Sequence, residues 1–410
     1  MSSLLLSYLA FLGISLPDGL FGVAWPSMSR DLGVPLGALG LMLPLGVASS
    51  MLSSASTGVL LARIGLGRLL ATSIAVTGVA LLTQSVAPVF WVVVATGVLI
   101  AAGNGAIDAG LNANAARRFT ARQITWMHAV YGFGAAVGPL LFAGMAGFGL
   151  SWRWTFAVVA AVQGLLAVLF AATARTWAPA PPSTGGQAVG GQAVDGQAVD
   201  GQATGGRAVG AQAVGAQAVG GRPGVDRGGF RMPAVFWPGA ALFAVQTGVE
   251  SATALWAFVF LTGARGVSLG VAAATVSGYW AALLVGRLVL GPVADRTGAR
   301  PVLLVGLAGM AGGAALLLVP SAGAALAGIV LIGLSAAPMY PLLMLTTKDR
   351  VGADLADRAV GVQGAASALG SATMPALIGL LIGPLGAAVI APCVLLLALA
   401  TATAYRVATR

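Results

Sequence analysis

The sequence predicts an all-α membrane protein whose twelve transmembrane helices form two six-helix bundles related by a pseudo-two-fold axis. Hydrophobic residues make up 58% of the 410-residue chain and charged residues only 8%, whereas a soluble domain carries about 25% charged residues. A chain this poor in charge has its outer surface in lipid. At about 20 residues per crossing, its apolar length leaves room for about twelve helices. Motifs that recur at a nearly constant offset indicate two similar halves.

Long apolar runs separated by Gly, Pro or Arg mark the predicted spans, and they fall into two groups of six. The first group occupies residues 4–28, 36–61, 69–86, 89–112, 124–148 and 152–173. The second group occupies residues 236–262, 269–293, 301–319, 322–346, 359–382 and 385–407.

The segment between the two groups has a different composition. Residues 186–220 repeat a pentapeptide seven times, as GQAVG, GQAVD, GQAVD, GQATG, GRAVG, AQAVG and AQAVG. Such sequence cannot bury a core, so we expect residues 174–233 to be a disordered cytoplasmic linker. An inert tether is favoured over a partner-binding segment. The linker would join an N-terminal bundle, residues 1–173, to a C-terminal bundle, residues 234–410.

The positions of the basic residues predict that both termini are cytoplasmic. With the N-terminus inside, eighteen of the 21 Lys and Arg residues fall on the cytoplasmic side, and only Arg30, Arg153 and Arg265 fall outside. Cytoplasmic loops of membrane proteins carry this excess. The topology explains the net charge of +10 without a nucleic-acid partner. Abundant Arg, Ala and Gly are typical of a high-GC bacterial genome, which predicts the bacterial inner membrane.

Motifs for enzymatic chemistry are missing from the sequence. It has no phosphate-binding Gly-Lys-Ser/Thr loop and no His–carboxylate cluster with the spacing of metal ligands. The first absence excludes direct use of ATP. We therefore expect no cofactor, no metal and no enzymatic activity. The expected partners are the lipid bilayer, protons and a small-molecule substrate, and the expected state is a monomer.

A loop motif occurs twice, as GVLLARIG at residues 58–65 and as GPVADRTGAR at residues 291–300. Its glycines would let two helix ends approach closely, while Asp295 and Arg296 would tie neighbouring helix termini at the cytoplasmic face. The first copy has Ala62 where the second has Asp295, so the first lacks half of this charge pair. The expected cytoplasmic gate residues are Gly58, Arg63, Gly65, Gly291, Asp295, Arg296, Gly298 and Arg300.

The second copy resembles the loop motif of the major facilitator superfamily, Gly-x-x-x-Asp-Arg-x-Gly-x-Arg, between the eighth and ninth helices. The resemblance covers the whole chain except the linker. Within that superfamily, segments such as GNGAIDAGLNAN (103–114), HAVYGFGAAVGP (128–139) and GVESATALW (248–256) are similar to the fucose-permease-like branch of sugar:proton symporters. This resemblance implies alternating access, with proton coupling by an acid in helix 1 and another in helix 4. The matching positions are Asp18 and Asp108.

Three acidic residues, Asp18, Asp108 and Glu250, fall in the middle of predicted spans. A charge at the bilayer centre costs roughly 2.5–3.5 kcal/mol on insertion scales, so such residues normally face a cavity and serve a transport pathway. We expect no basic residue to lie deep enough to neutralise them, which favours proton coupling over a static ion pair. Arg287 is expected to extend to the cytoplasmic interface rather than to bind substrate. The alternative for each acid is a protonated carboxyl hydrogen-bonded to a neighbouring helix.

Polar residues recur at helical spacing around these acids. Asn104, Asp108 and Asn112 are four positions apart and form one stripe on the fourth span. Similar stripes on the seventh and eleventh spans favour a shared cavity for ligands with hydroxyl or amide groups, although polar packing between helices is the alternative. His128 fits a proton relay and a hydrogen bond to a neighbouring helix equally well. The predicted substrate-binding residues are Asn104, Asn112, Trp256, Gln246, Gln363, His128 and Tyr340.

These features together predict a secondary active transporter that moves a small polar solute, for which a sugar is one candidate, with protons. A proton-driven exporter of drugs or metabolites would use the same acids and stays open as an alternative. A membrane sensor without transport activity is disfavoured, because only the linker and short loops could carry a signal.

Overall fold

A computed structural model describes residues 2–177 and 234–409 of the chain. Within these ranges, twelve helices are long and apolar enough to cross a membrane, which confirms the predicted number and the all-α class. The pentapeptide repeats at 186–220 lie outside the described residues.

The first half of the molecule contains six spanning helices, here called α1 to α6. They are α1 (Ser3–Asp31), α2 (Leu39–Ile64), α3 (Leu66–Ser85), α4 (Phe90–Arg118), α5 (Ala121–Gly147) and α6 (Trp152–Ala172). A 3₁₀ turn, Leu36–Ala38, leads into α2, and another, Ala174–Trp177, follows α6.

The second half contains eight helices that make six spans. They are α7 (Phe236–Ala264), α8 (Leu269–Thr297), α9 (Ala299–Leu318), α10 (Ala322–Ala336), α11 (Met339–Leu345), α12 (Thr347–Val351), α13 (Ala353–Leu385) and α14 (Ile390–Ala408). Helices α10 and α11 form one span that is interrupted just before Pro338, because proline lacks the N–H that would continue the helical hydrogen bonds.

The two halves repeat the same backbone turns. Gly33 and Gly266 adopt φ values of 65° and 62°, and Gly65 and Gly298 adopt 75° and 85°. Each pair is separated by 233 positions, which is also the offset between the two loop motifs. Glycine is the residue that adopts positive φ without steric cost. The internal duplication predicted from motifs is therefore present in the conformation of the loops.

Small residues bring helices into backbone contact within each half. In the first half, a Cβ atom at Gly19 of α1 would overlap the carbonyl oxygen of Ala135 in α5. In the second half, a Cβ atom at Gly370 of α13 would overlap the carbonyl oxygen of Ala244 in α7. Helix association in lipid depends on such close packing, because apolar side chains gain little by leaving lipid for one another.

The two halves touch each other on the side of the bilayer opposite the chain termini, here called the far side. A Cβ atom at Gly40 of α2 would lie 2.8 Å from the Ala376 oxygen of α13, and one at Gly22 of α1 would lie 2.8 Å from the Leu255 oxygen of α7. Because both contacts join the first half to the second, the far side is closed.

On the side of the termini, here called the terminus side, the first glycine of each motif copy has no packing partner among the described residues. A Cβ atom at Gly58 or at Gly291 would meet no neighbouring atom within 4 Å. Asp295 and Arg296 are exposed, and Asp295 forms no ion pair with any residue in the described ranges. In the described ranges Asp295 and Arg296 make no ion pair between helix ends, and the gate role of the motif residues stays a prediction.

An ion pair that the sequence did not reveal joins α1 to α6 on the far side. Arg153 donates a hydrogen bond to Asp31 at 2.9 Å, and its guanidinium lies 4.6 Å from the ring centre of Trp152. The Trp152 indole also donates to Asp31, at 3.2 Å. These contacts fix the far end of α1, the helix that carries Asp18.

The glycine contacts make the far-side closure testable with one methyl group. Gly40→Ala places that methyl against the backbone of Ala376, which cannot move aside cheaply, so we expect the halves to separate on the far side. Spin labels on Leu41→Cys and Leu385→Cys, in a Cys393→Ser background, should then report a longer distance.

Gly46→Ala on the same helix is the matched control, because its methyl would meet nothing closer than the Ala101 side chain at 3.7 Å. A label distance that is identical in Gly40→Ala and in the parent would show that this glycine does not set the closure.

Candidate functional site

Asp18 lies in the middle of α1 where the two halves meet. Its neighbours Pro17 and Gly19 are buried, but Asp18 itself is exposed. The Tyr131 hydroxyl of α5 donates a hydrogen bond to its carboxylate. One turn further along α1, Gly22 packs against Leu255 of the second half. The carboxylate therefore sits at the junction of the halves and is not covered by protein.

The polar stripe on α4 faces α1. Gly103 packs against α3 and Gly105 against α2, and the Asn104 amide between them donates a hydrogen bond of 3.4 Å to the Ile14 oxygen of α1. Asp108 and Asn112 continue the same face, and the Asn112 amide donates to Asp108 at 3.0 Å. Because Ile14 precedes Asp18 by one turn, the stripe approaches the first acid from the neighbouring helix.

Glu250 of α7 has a basic partner inside the bilayer. Arg287 of α8 forms an ion pair with its carboxylate at 3.4 Å, and the Gln246 amide donates to it at 3.5 Å. The Tyr279 hydroxyl donates to the Glu250 backbone oxygen at 2.9 Å. The expectations that no basic residue reaches the acids, and that Arg287 extends to the membrane interface, are therefore both wrong.

Arg287 lies deeper in the membrane than expected because α8 is longer than the sequence predicted. The sequence predicted a span that ends at residue 293, but the helix continues to Thr297. Arg287 is therefore ten residues before the end of the helix, a distance of about 15 Å at 1.5 Å per residue. At that depth its side chain reaches Glu250 more easily than the interface.

His128 of α5 lies where the first half approaches Arg287. Its ring contacts Phe11 edge-on, with 5.2 Å between ring centres, and Arg287 lies close enough to interact with it electrostatically. The helices α5 and α8 are in contact nearby, because a Cβ atom at Gly132 would lie 3.3 Å from the Leu284 side chain. His128 and Arg287 thus place a titratable group of one half beside a fixed charge of the other.

Three other predicted substrate-binding residues lie inside the second half. Gln246, Tyr340 and Gln363 are almost completely buried. Gln363 accepts a hydrogen bond of 2.8 Å from the Thr347 hydroxyl, and the Tyr340 ring meets Phe243 edge-on. In this conformation they form a polar core between α7, α11, α12 and α13 rather than an exposed wall.

Trp256 does not reach the space between the halves. Its side chain is fully buried, its indole N–H donates to the Pro375 oxygen at 2.9 Å, and its ring packs against Gly379. In this conformation its polar atom is paired within the second half, and its role in substrate binding stays a prediction.

Some polar atoms of this region have no hydrogen-bond partner among the described residues. They are Oδ1 of Asn104, Oε1 of Gln246, Nε of Arg287, the hydroxyl of Tyr340 and Nε2 of Gln363. Buried polar atoms in proteins are nearly always paired. Two of these residues, Asn104 and Gln246, lie on helices that also carry a mid-membrane acid, and unpaired atoms beside such acids are the pattern expected of a site that rearranges or takes a polar ligand.

These features define a class of protein. Two repeated six-span halves that close on one side, with acids at mid-depth on their facing helices, are the arrangement of a secondary transporter. The acid of each half is held differently, since Asp18 accepts from a tyrosine while Glu250 pairs with an arginine.

The chain belongs to the Major Facilitator Superfamily, whose family model matches residues 7–276 and 241–410. This assignment makes the protein a transporter rather than an enzyme. No curated protein matched the chain.

Solved structures with the same fold support the assignment. A mutant of the nucleoside transporter NupG aligns with a TM-score of 0.72 at 12% identity, covering 98% of both chains. A bacterial homolog of the human lysosomal transporter Spinster, inward-facing and unoccupied, aligns with a TM-score of 0.69 at 14% identity, covering 99% of this chain and 94% of that one. Identities this low show a shared fold.

The Arg287–Glu250 pair leads to a stability prediction. Arg287→Gln leaves Glu250 buried without its partner, and we expect a loss of up to about 3 kcal/mol, at the low end for buried pairs because the side chain of Arg287 is 22% exposed. Thermal unfolding in detergent measures the loss.

The double variant Arg287→Gln, Glu250→Gln is the control. It removes both charges and should recover most of the lost stability. Additive losses in the two single variants would instead show that the charges do not interact.

Proposed function

We propose that the chain is a proton-coupled symporter of the bacterial inner membrane that moves a small polar solute of the sugar class by alternating access. The observation that carries this proposal is Asp18, an acid in the middle of a span that protein leaves uncovered at the junction of the halves and that accepts a hydrogen bond from Tyr131. Coupling requires a carboxyl that takes a proton from one side and releases it to the other, and Asp18 is placed for that exchange.

Asp108 is the second coupling acid in this proposal. Its carboxylate accepts from Asn112 on the same helix, and the stripe that carries it bonds to α1 through Asn104. A change of charge at Asp108 would alter the packing of α4 against α1, the helix of Asp18. Two acids on adjacent helices can thereby link protonation to the relative position of the helices.

Glu250 has a different role in the present conformation, in which Arg287 neutralises it. It can join the coupling acids only in a state where Arg287 turns away. His128 lies beside Arg287, so protonation of His128 would repel the guanidinium and favour that change. The Arg287–Glu250 ion pair lies in the second half, and protonation of His128 in the first half would weaken it. Both halves can thus influence whether this pair forms.

The substrate class is inferred from the chemistry of the polar groups. Amide and hydroxyl groups on Asn104, Asn112, Gln246, Gln363 and Tyr340 match the hydroxyls of a sugar, and several of their atoms are unpaired. The resemblance to the sugar:proton symporter branch favours the same class. The nucleoside carried by one transporter of similar fold also presents ribose hydroxyls. In this proposal the polar core of the second half becomes accessible as the halves move.

The orientation follows from the basic residues. Both termini are placed in the cytoplasm, because cytoplasmic loops carry the excess of Lys and Arg. In this proposal the terminus side is the cytoplasmic side, and the closed far side corresponds to an inward-facing state. Closure of the terminus side would bring the two loop motifs together.

Uptake into proteoliposomes with an imposed pH gradient tests the coupling. The parent should accumulate a sugar from a panel of sugars, polyols and nucleosides above its external concentration. Asp18→Asn and Asp108→Asn remove the titrating groups, so each should allow equilibration at most.

Asp354→Asn makes the same chemical change at an exposed residue of α13 and should behave as the parent does. Accumulation by both mid-membrane variants would rule out coupling through these acids. Proton-driven efflux of the solute would identify an exporter instead.

A further inference from the structure

A polar cavity lies on the terminus side of the second half. It has a volume of about 390 Å³ and is lined by the start of α9, the short helix α12 and the last turn of α14. Its lining includes Arg300, Asp349, Arg350, Tyr405 and Thr409. Arg300 was predicted as a gate residue, but the structure places it at this cavity.

The charged side chains Arg300 and Asp349 of the cavity do not form an ion pair with each other. Arg300 and Asp349 are both exposed, and neither forms an ion pair within 4 Å in the part of the chain that the structure describes. Arg350 adds a second guanidinium. The cavity therefore offers two cations and one separate carboxylate to a ligand.

Arg350 is fixed in position by its own contacts. It donates to the hydroxyls of Thr346 at 2.7 Å and Thr347 at 3.0 Å. Burial lowers the pKa of Arg350, while the nearby Tyr405 and Asp349 act in the opposite direction. Partial burial of a cation is costly without a counter-charge, and an anion in the cavity would offset that cost.

Tyr405 supplies a neutral donor. Its side chain is only 6% exposed, its hydroxyl makes no hydrogen bond to a described residue, and the residue lines the cavity. The hydroxyl keeps some exposed surface, so it is available to a ligand that enters the cavity beside Arg350.

The position of the cavity identifies the source of the ligand. Leu304 of α9 and Val407 of α14, next to the lining residues, are 49% and 52% exposed, and in a membrane protein such apolar side chains face lipid. The cavity therefore opens at the level where an apolar helix surface meets the headgroup layer. Basic pockets between helices at this level bind phospholipid headgroups.

We propose that this cavity binds the headgroup of an aminophospholipid, with the phosphate at Arg300, Arg350 and Tyr405 and the amine at Asp349. The phosphate requires the guanidiniums and the hydroxyl as donors. The ammonium group of the lipid would pair with the carboxylate of Asp349, which lies among these donors and forms no ion pair with a described residue. The proposal does not depend on the transported solute or on proton coupling.

Native mass spectrometry of the purified full chain tests the proposal, with phosphatidylethanolamine, phosphatidylglycerol and inorganic phosphate as separate probes. Arg300→Gln should reduce retention of both lipids about fivefold, the equivalent of about 1 kcal/mol for one basic residue at a membrane surface. Asp349→Asn should reduce retention of phosphatidylethanolamine alone, because it removes the acceptor for the amine. Arg406→Gln, an exposed residue of the same turn of α14 as Tyr405, should change neither.

Several results would overturn the proposal. One such result is that Arg300→Gln retains both lipids as the parent does. Another is that Arg406→Gln reduces lipid retention as much as Arg300→Gln, which would show general attraction to the basic surface. Inorganic phosphate could displace the lipids at equal concentration, which would indicate a site for free phosphate. Thermal unfolding checks that each variant is folded. Tyr405→Phe, which removes only the hydroxyl, should also weaken retention, and unchanged retention would count against the site.

Discussion

Close backbone contact between the two halves on the far side is the constraint on which the candidate site depends. Helices in lipid associate through packing of small residues and through hydrogen bonds, because the bilayer provides little hydrophobic driving force between them. Gly22 and Gly40 place α1 and α2 directly against the backbones of α7 and α13. Gly22 lies one turn beyond Asp18, so its contact fixes the part of α1 that carries this acid against the second half. Because backbones in contact cannot be compressed, these contacts hold the halves together on the far side in this conformation.

The two halves share a backbone plan but differ in chemistry. Gly65 and Gly298 make the same turn 233 positions apart, and Asp18 and Glu250 occupy corresponding depths in α1 and α7. The position that corresponds to Arg287 in the first half is Ser54. Asp18 therefore accepts a hydrogen bond from a tyrosine, while Glu250 is neutralised by a guanidinium. The two halves thus hold their mid-membrane acids in different ways.

The second motif copy changes direction at its glycine turn. Because α9 begins at Ala299, directly after the positive-φ turn at Gly298, the chain reverses direction within the motif. Gly291, before the turn, has no described neighbour that an added Cβ atom would meet, whereas Arg300, after the turn, lines the cavity formed with α12 and α14. The turn therefore puts the two ends of the motif in different surroundings.

The sequence by itself determined the number and order of the spans, the duplication, and the polar stripe of α4. These properties are local, since a chain in lipid must satisfy its backbone hydrogen bonds within each helix, and helical spacing alone puts Asn104, Asp108 and Asn112 on one face. Only the tertiary structure decided that Arg287 pairs with Glu250, that the Trp256 indole donates to the Pro375 oxygen, and that Arg300 lines the cavity with α12 and α14. Each of these depends on which helix lies beside which and on how the halves are tilted. Position along a helix gives the depth of a side chain in the membrane, but it does not identify the neighbour that the side chain meets.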